Sequence, residues 1–397
     1  MALRVILPSA KRVRCLSDEH INPLTYQDLK KLIADLEFPK IVCISSMTIQ
    51  IARAHELARW SKEIDNSVKV ILGGVHPTVM SEESLNTSYI DVVVRFEGEE
   101  TLYELYKSYQ TKTSISDIKG IAYLDRCKKI VYTPERKLIN LKDIPLYPYD
   151  LFEDKMEYYN SFGSLSTSRG CPHSCIFCSN RTITGKIFRH FPIEWIRDTL
   201  DILINKYKRT YIIFVDDILF ANKKHLLSIT KMIKENNFHK KAVFHGSARA
   251  DSVDEDIVRA CKEVNFVFLG VGVETHSDRL LKVLKKNETA AQIRTAVELI
   301  SKYDIMTTTG LIFGIPEQTR KDRYDTIKYA IDLPIDNTRF NTIVPYPGTE
   351  LYDIAVKEGR LNKKENYYNF NVQYYLFDND IPYVPKGTDK FELIFDT

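Results

Sequence analysis

Runs of β-branched and aliphatic residues alternate along the chain with stretches whose apolar positions recur at helical spacing. In the first third, 4–7, 41–44, 68–72 and 92–94 read as fully buried strands, and 51–64 and 100–109 as helices. Strands apolar on both faces need helices on both sides, which predicts a small parallel α/β sheet. Between Asp117 and Tyr149 the helical pattern stops, and turn residues and prolines around 118–124, 129–133 and 144–149 predict a hairpin and a linker. From Ser164 the alternation restarts. Strands are expected at 164–168, 211–215, 242–246, 267–271, 306–312 and 339–344, with helices such as 193–207, 223–234, 254–262 and 290–303 between them. Six β/α units predict a full or partial TIM-type barrel that works at the C-terminal ends of its strands. The expected divisions are 1–112, a hairpin and linker over 113–160, a barrel over 161–360 and a tail over 361–397. Aromatics in the tail (Tyr367, Tyr368, Phe370, Tyr374, Tyr375, Phe377) argue against disorder, so it is expected to pack on an open side of the barrel.

With 397 residues, at roughly 150 per domain, two or three domains are expected, and 44% hydrophobic residues supply each with a core. Lys and Arg number 56 against 53 Asp and Glu, so a basic nucleic-acid footprint is absent. No apolar run approaches the ~20 residues of a membrane span, and no signal-peptide pattern opens the chain, so the expected address is the cytoplasm. Of seven cysteines, Cys15, Cys43, Cys127 and Cys261 are scattered, while Cys171, Cys175 and Cys178 fall within eight residues. That distribution suits one ligand cluster in a reducing compartment rather than a disulfide framework.

Three thiolates spaced four and three apart, on the loop after the first barrel strand, can hold three irons of a cubane and leave the fourth open. A zinc site completed by His173 or His190, a redox pair Cys175-x-x-Cys178 or plain buried thiols are the alternatives. Later strand ends carry further polar groups: Asp216 and Asp217; Ser247, Arg249 and Asp251; Glu274; then 310–319 and 345–350. Singly, these read as a solvated turn, a helix cap or tight-turn glycines. Together with Cys-x3-Cys-x2-Cys and the aromatic Phe177 before its last cysteine, they resemble the radical S-adenosylmethionine (radical SAM) superfamily. The resemblance runs from Ser164 to Tyr352. It implies a [4Fe-4S] cluster on Cys171, Cys175 and Cys178, reductive cleavage of S-adenosylmethionine to a 5′-deoxyadenosyl radical, and cosubstrate contacts from Phe177, Asp216, Asp217, Ser247, Arg249 and Glu274. An external electron donor of flavodoxin or ferredoxin type is implied too.

In the first third, Ser45-Ser46-Met47-Thr48, Gly73-Gly74-Val-His76-Pro77-Thr78 and Arg95-Phe96-Glu97-Gly98-Glu99-Glu100 end successive strands. Each alone is ordinary α/β turn chemistry. As a set they resemble the Rossmann-like cobalamin-binding domain fused to many radical SAM enzymes, which implies that Ser45, Ser46, Thr48, Gly73, Gly74 and His76 line the slot for the corrinoid's nucleotide tail. There are departures. Phe96 replaces a family glycine, Pro23 stands where the cobalt-ligand motif begun by Asp18-Glu-His20 needs glycine, and one β/α unit is expected to be missing. His20 is therefore read as a surface histidine. A methylthiotransferase subgroup fits poorly, because only Cys15 and Cys43 precede residue 100.

The expected function is a cobalamin-dependent radical SAM methyltransferase acting on an unactivated carbon of a small molecule or peptide. The alternatives are a non-methylating radical reaction (cyclisation, rearrangement or oxidation) with a degenerate first domain, and a non-catalytic iron–sulfur or zinc sensor.

Overall fold

The computed structural model describes residues 23–151, 163–364, 367–372 and 381–397. The expected strand at 4–7, and Cys15, His20, Tyr374, Tyr375 and Phe377, lie outside the described residues. The chain divides into two compact units, Met1–Tyr158 with Lys364–Tyr368, and Tyr159–Lys363 with Asn369–Thr397.

In the first unit, β1 (Ile41–Ser45), β2 (Lys69–Gly73) and β3 (Val92–Val94) are parallel and adjacent. Val70, Leu72, Val92 and Val93 are wholly buried, as apolar strands covered on both faces should be. The expected hairpin forms as β4 (Ile121–Leu124) and β5 (Ile130–Tyr132), but it does not belong to a linker. β4 pairs antiparallel with β3, Val93 opposite Ala122, and makes one five-stranded sheet. The reason lies in the edge of β3, whose N–H and C=O groups need partners once Val92–Val94 is buried. A helix not read from the sequence, Tyr26–Ala34, starts at a Thr25–Asp28 capping box.

The second unit is built on six parallel strands in chain order. β6 (Ser164–Leu165) is followed by the short antiparallel ribbon of β7 (Ser168–Arg169) and β8 (Arg189–His190). The sheet then runs through β9 (Tyr211–Phe214), β10 (Val243–Ala248), β11 (Phe266–Val271), β12 (Met306–Phe313) and β13 (Asn337–Thr342). Among the described residues β6 and β13 stand at the two ends of the strand order and do not pair with each other, so the barrel is partial. Phe214, Phe244 and Phe266 fill the core between neighbouring strands, with ring centroids 5.6–5.8 Å apart.

The tail divides between the units instead of packing as one piece. Lys364–Tyr368 belongs to the first. In the second unit, Leu393 of the helix Lys390–Asp396 lies against Gly314, and the buried Arg323 pairs with Glu392 and with Asp396 at 2.8 Å. Among the described residues no helix is long and apolar enough to cross a membrane.

Candidate active site

The cysteine loop leaves β7 through Gly170, whose φ of 92° only glycine adopts without strain; a Cβ there would lie 2.1 Å from the Ile187 carbonyl oxygen. The Gly170 N–H donates to Asp217 at 3.0 Å. Farther along, Ile176 donates to the Leu284 carbonyl and accepts from the Leu351 N–H, and Phe177 packs on the Leu280–Leu284 core. Both backbone bonds of Ile176 fall between Cys175 and Cys178, so the two cysteines are anchored to rigid helices.

Burial raises all three thiol pKa values, pushing Cys175 up to about 11, against the pull of Lys286 and Arg249. Cys178 reaches solvent at one edge, yet enough protein surrounds it for the same effect. Free, partly buried thiols near two cations fit a cluster, because iron takes the place of the proton and the cations offset the thiolate charge.

The two aspartates after β9 divide their work. Asp216 is buried and accepts from the Thr167 N–H and hydroxyl, both at 2.9 Å, and from the Ser168 hydroxyl. Those bonds break the expected 164–168 strand in two and turn the chain toward the cysteines. Burial raises the Asp216 pKa against these donors. Asp217 is exposed.

Beyond β10 and β11 the site holds a charge network. Ser247 lies on β10 opposite Gly270. Arg249 donates to the Lys286 carbonyl at 2.5 Å, pairs with Asp251 at 3.1 Å and faces Glu288 at 3.6 Å. The Lys286 ammonium, almost fully buried, reaches Glu274 at 2.8 Å, the Gly272 carbonyl at 2.7 Å and Glu288 at 3.3 Å. Burial works against that ammonium, yet Glu274 and Glu288 hold its pKa above the ordinary value. Glu274 sits at φ 61°, a strained conformation of the kind that collects at functional sites. Two cations against Asp251, Glu274 and Glu288 leave a net negative site, suited to a ligand carrying ammonium and sulfonium charges beside one carboxylate. Lys286 and Glu288 were not read from the sequence, because Lys285-Lys286-Asn287-Glu288 looks like a solvated turn.

His190, a zinc-ligand candidate, stacks on the buried His225 with ring centroids 4.3 Å apart. Burial and His190 lower the His225 pKa to about 4. With an ordinary value near 6.5, the unfolded chain binds this proton first, so stability present above about pH 6.5 is lost as the pH falls toward 4. The thermal midpoint should therefore fall over that window, and His225→Phe should flatten the fall; equal slopes in both proteins would refute the assignment.

In the first unit, Gly74 has φ 101°, and a Cβ there would lie 2.6 Å from the Ser46 carbonyl oxygen and 2.8 Å from its nitrogen. The close approach that Gly74 allows is thus to the Ser45–Ser46 turn. Gly73 faces Val94 at ordinary contact distance. His76 is wholly buried, with Nδ1 3.3 Å from the Thr48 hydroxyl. Phe96, in place of a glycine, keeps a left-handed φ of 63°. Its N–H donates to Thr78 at 3.0 Å, and the Arg95 guanidinium covers its ring. Among the described residues of this unit, His55 Nε2, Ser84 Oγ, Thr87 Oγ1 and Arg95 Nε are buried without a hydrogen-bond partner, as groups that a polar ligand can satisfy. The donor set fits an amide-rich corrinoid.

A radical SAM superfamily model matches residues 165–330, and a B12 binding domain model matches 16–106. An uncharacterized methyltransferase, PH0819, of Pyrococcus horikoshii is 34% identical over 344 residues, 85% of this chain and 74% of its own. Anaerobic magnesium-protoporphyrin IX monomethyl ester cyclase of Cereibacter sphaeroides is 26% identical, covering 83% of this chain and 55% of its own. The radical S-adenosylmethionine methyltransferase TsrM of Kitasatospora setae shares the fold with a TM-score of 0.80 at 16% identity, over 100% of this chain and 85% of that one.

The fold is that of a B12-binding-type unit followed by a radical SAM unit. The chain belongs to the radical SAM superfamily, in the group that carries a B12-binding domain, and is a radical SAM enzyme. The cofactors those domains imply are a [4Fe-4S] cluster, S-adenosylmethionine and cobalamin.

Proposed function

We propose that this chain is a cobalamin-dependent methyltransferase, working in the cytoplasm on an unactivated carbon of a small molecule or peptide. The observation that carries the reading is the P. horikoshii methyltransferase, aligned across 85% of this chain, together with the B12-binding match. When bound, cluster and corrinoid supply the electron for cleaving S-adenosylmethionine and a carrier for its methyl group. Cys171, Cys175 and Cys178 hold the cluster. Arg249 and Lys286 offer cations to the cosubstrate's carboxylate, while Asp217, Asp251 and Glu274 offer acceptors to its ammonium and ribose hydroxyls. Ser45, Ser46, Thr48, Gly74 and His76 shape the corrinoid slot. A flavodoxin or ferredoxin type of protein delivers the electron.

The likeness to the cyclases favours a second reading, a radical reaction without methyl transfer. Reduced, reconstituted enzyme given S-adenosylmethionine with and without hydroxocobalamin separates the two. Corrinoid-dependent S-adenosylhomocysteine is the expected product. 5′-Deoxyadenosine alone, indifferent to corrinoid, would overturn methyl transfer in favour of the second reading.

A further inference from the structure

Tyr367 lies far along the chain from the β1 and β2 turns, yet it is wholly buried in the same unit as they are. Its hydroxyl donates to Glu83 at 2.9 Å, and its ring meets His76 edge-on with centroids 5.0 Å apart. Glu83 also faces His76, 3.9 Å from Nε2, while Nδ1 of the same ring meets Thr48. One imidazole is thus held on three sides, by the end of β1, by the helix that carries Glu83 and by the tail. Near it, the lowered pKa of His55, caused first by burial and opposed by Glu83, shows that this histidine feels the same carboxylate.

Burying a phenol and an imidazole against a partly exposed carboxylate costs desolvation that an aliphatic cluster would avoid. The set stands against Thr48 and beside the Gly74–Ser46 contact, at the strand ends assigned to the nucleotide tail. We infer that Tyr367 is a positioning residue of the corrinoid slot, acting through Glu83 and His76 to fix the Thr48 wall. The inference rests on the cobalamin reading above. A chain segment from beyond the barrel thereby sets how tightly the first domain holds its cofactor.

The test is hydroxocobalamin titration of the full-length reconstituted protein, read by absorbance, with iron content and thermal midpoint measured alongside. Tyr367→Phe keeps the ring and removes one charge-assisted hydrogen bond, so binding should weaken about tenfold with iron content unchanged. Glu83→Gln should do the same, and the double variant should be little worse than either single one, as expected for members of one network. Tyr383→Phe, which removes a Tyr–Glu bond in the other unit, should shift the midpoint and leave corrinoid binding alone. Unchanged or tighter binding in Tyr367→Phe and Glu83→Gln, whatever their midpoints, would overturn the inference and leave the cobalamin reading standing. Wild-type protein that binds no corrinoid would instead overturn that reading.

Discussion

Gly170→Ala should leave the protein unable to keep its iron. The new Cβ would sit 2.1 Å from the Ile187 carbonyl oxygen and 3.1 Å from its carbon, and both are backbone atoms that no rotamer change can move. The φ of 92° adds strain for any side chain. Together these cost several kcal/mol, on the order of 3–5, concentrated in the residue that leads into Cys171. The loop relaxes by giving up the Gly170–Asp217 bond or by shifting Ile187, and either displaces the first cysteine. Iron and sulfide assays after anaerobic reconstitution read the loss. Gly185→Ala is the matched control, since its φ is also positive at 63° but a Cβ there meets nothing within 4 Å. It should keep its iron, and a Gly170→Ala protein with full iron would refute the account.

Lys286→Met should destabilise the barrel by about 3–5 kcal/mol, the cost of removing one partner from a buried charge network. Methionine fills the volume of the lysine stem, so packing survives while Glu274 and Glu288 lose the cation between them. Arg249 remains 3.6 Å from Glu288 and offsets only part of that loss. The unpaired carboxylates then favour protons, which raises their folded pKa above the unfolded value of about 4.3. In the interval between those two values the folded variant binds more protons than its unfolded chain, so the variant gains stability as the pH falls through it. Urea melts at neutral and mildly acidic pH, with equilibrium dialysis of S-adenosylmethionine, check both parts. An unchanged melt and unchanged cosubstrate binding would refute the assignment.

Hydrophobic patterning located the strands that are buried on both faces and failed where something else fixed the backbone. The 41–44, 68–72 and 92–94 runs are strands within a residue or two because nothing polar competes for their burial. β13 starts two residues before its expected position, since Asn337–Thr342 is largely polar and carries little hydrophobic signal at the end of the sheet. The 164–168 strand breaks because Asp216, nearly fifty residues away in sequence, takes the Thr167 N–H. At the candidate site, the cysteine spacing and the glycine turns could be read because both reflect local geometry. Lys286 and Glu288 were hidden, since a lysine-rich loop carries no sign of burial. Tyr367 was hidden because its partner Glu83 stands 284 residues away.

The divided tail also bears on how the molecule is made. The main chain passes from one unit to the other three times, after Tyr158, Lys363 and Tyr368. Domains ordinarily fold in order as they leave the ribosome, yet the first domain here cannot bury His76 and Glu83 against Tyr367 until the entire barrel has been translated. A nascent chain stalled near residue 160 should accordingly be protease-sensitive around Gly74–Leu85, and that sensitivity should vanish once Tyr367 has emerged to meet His76 and Glu83.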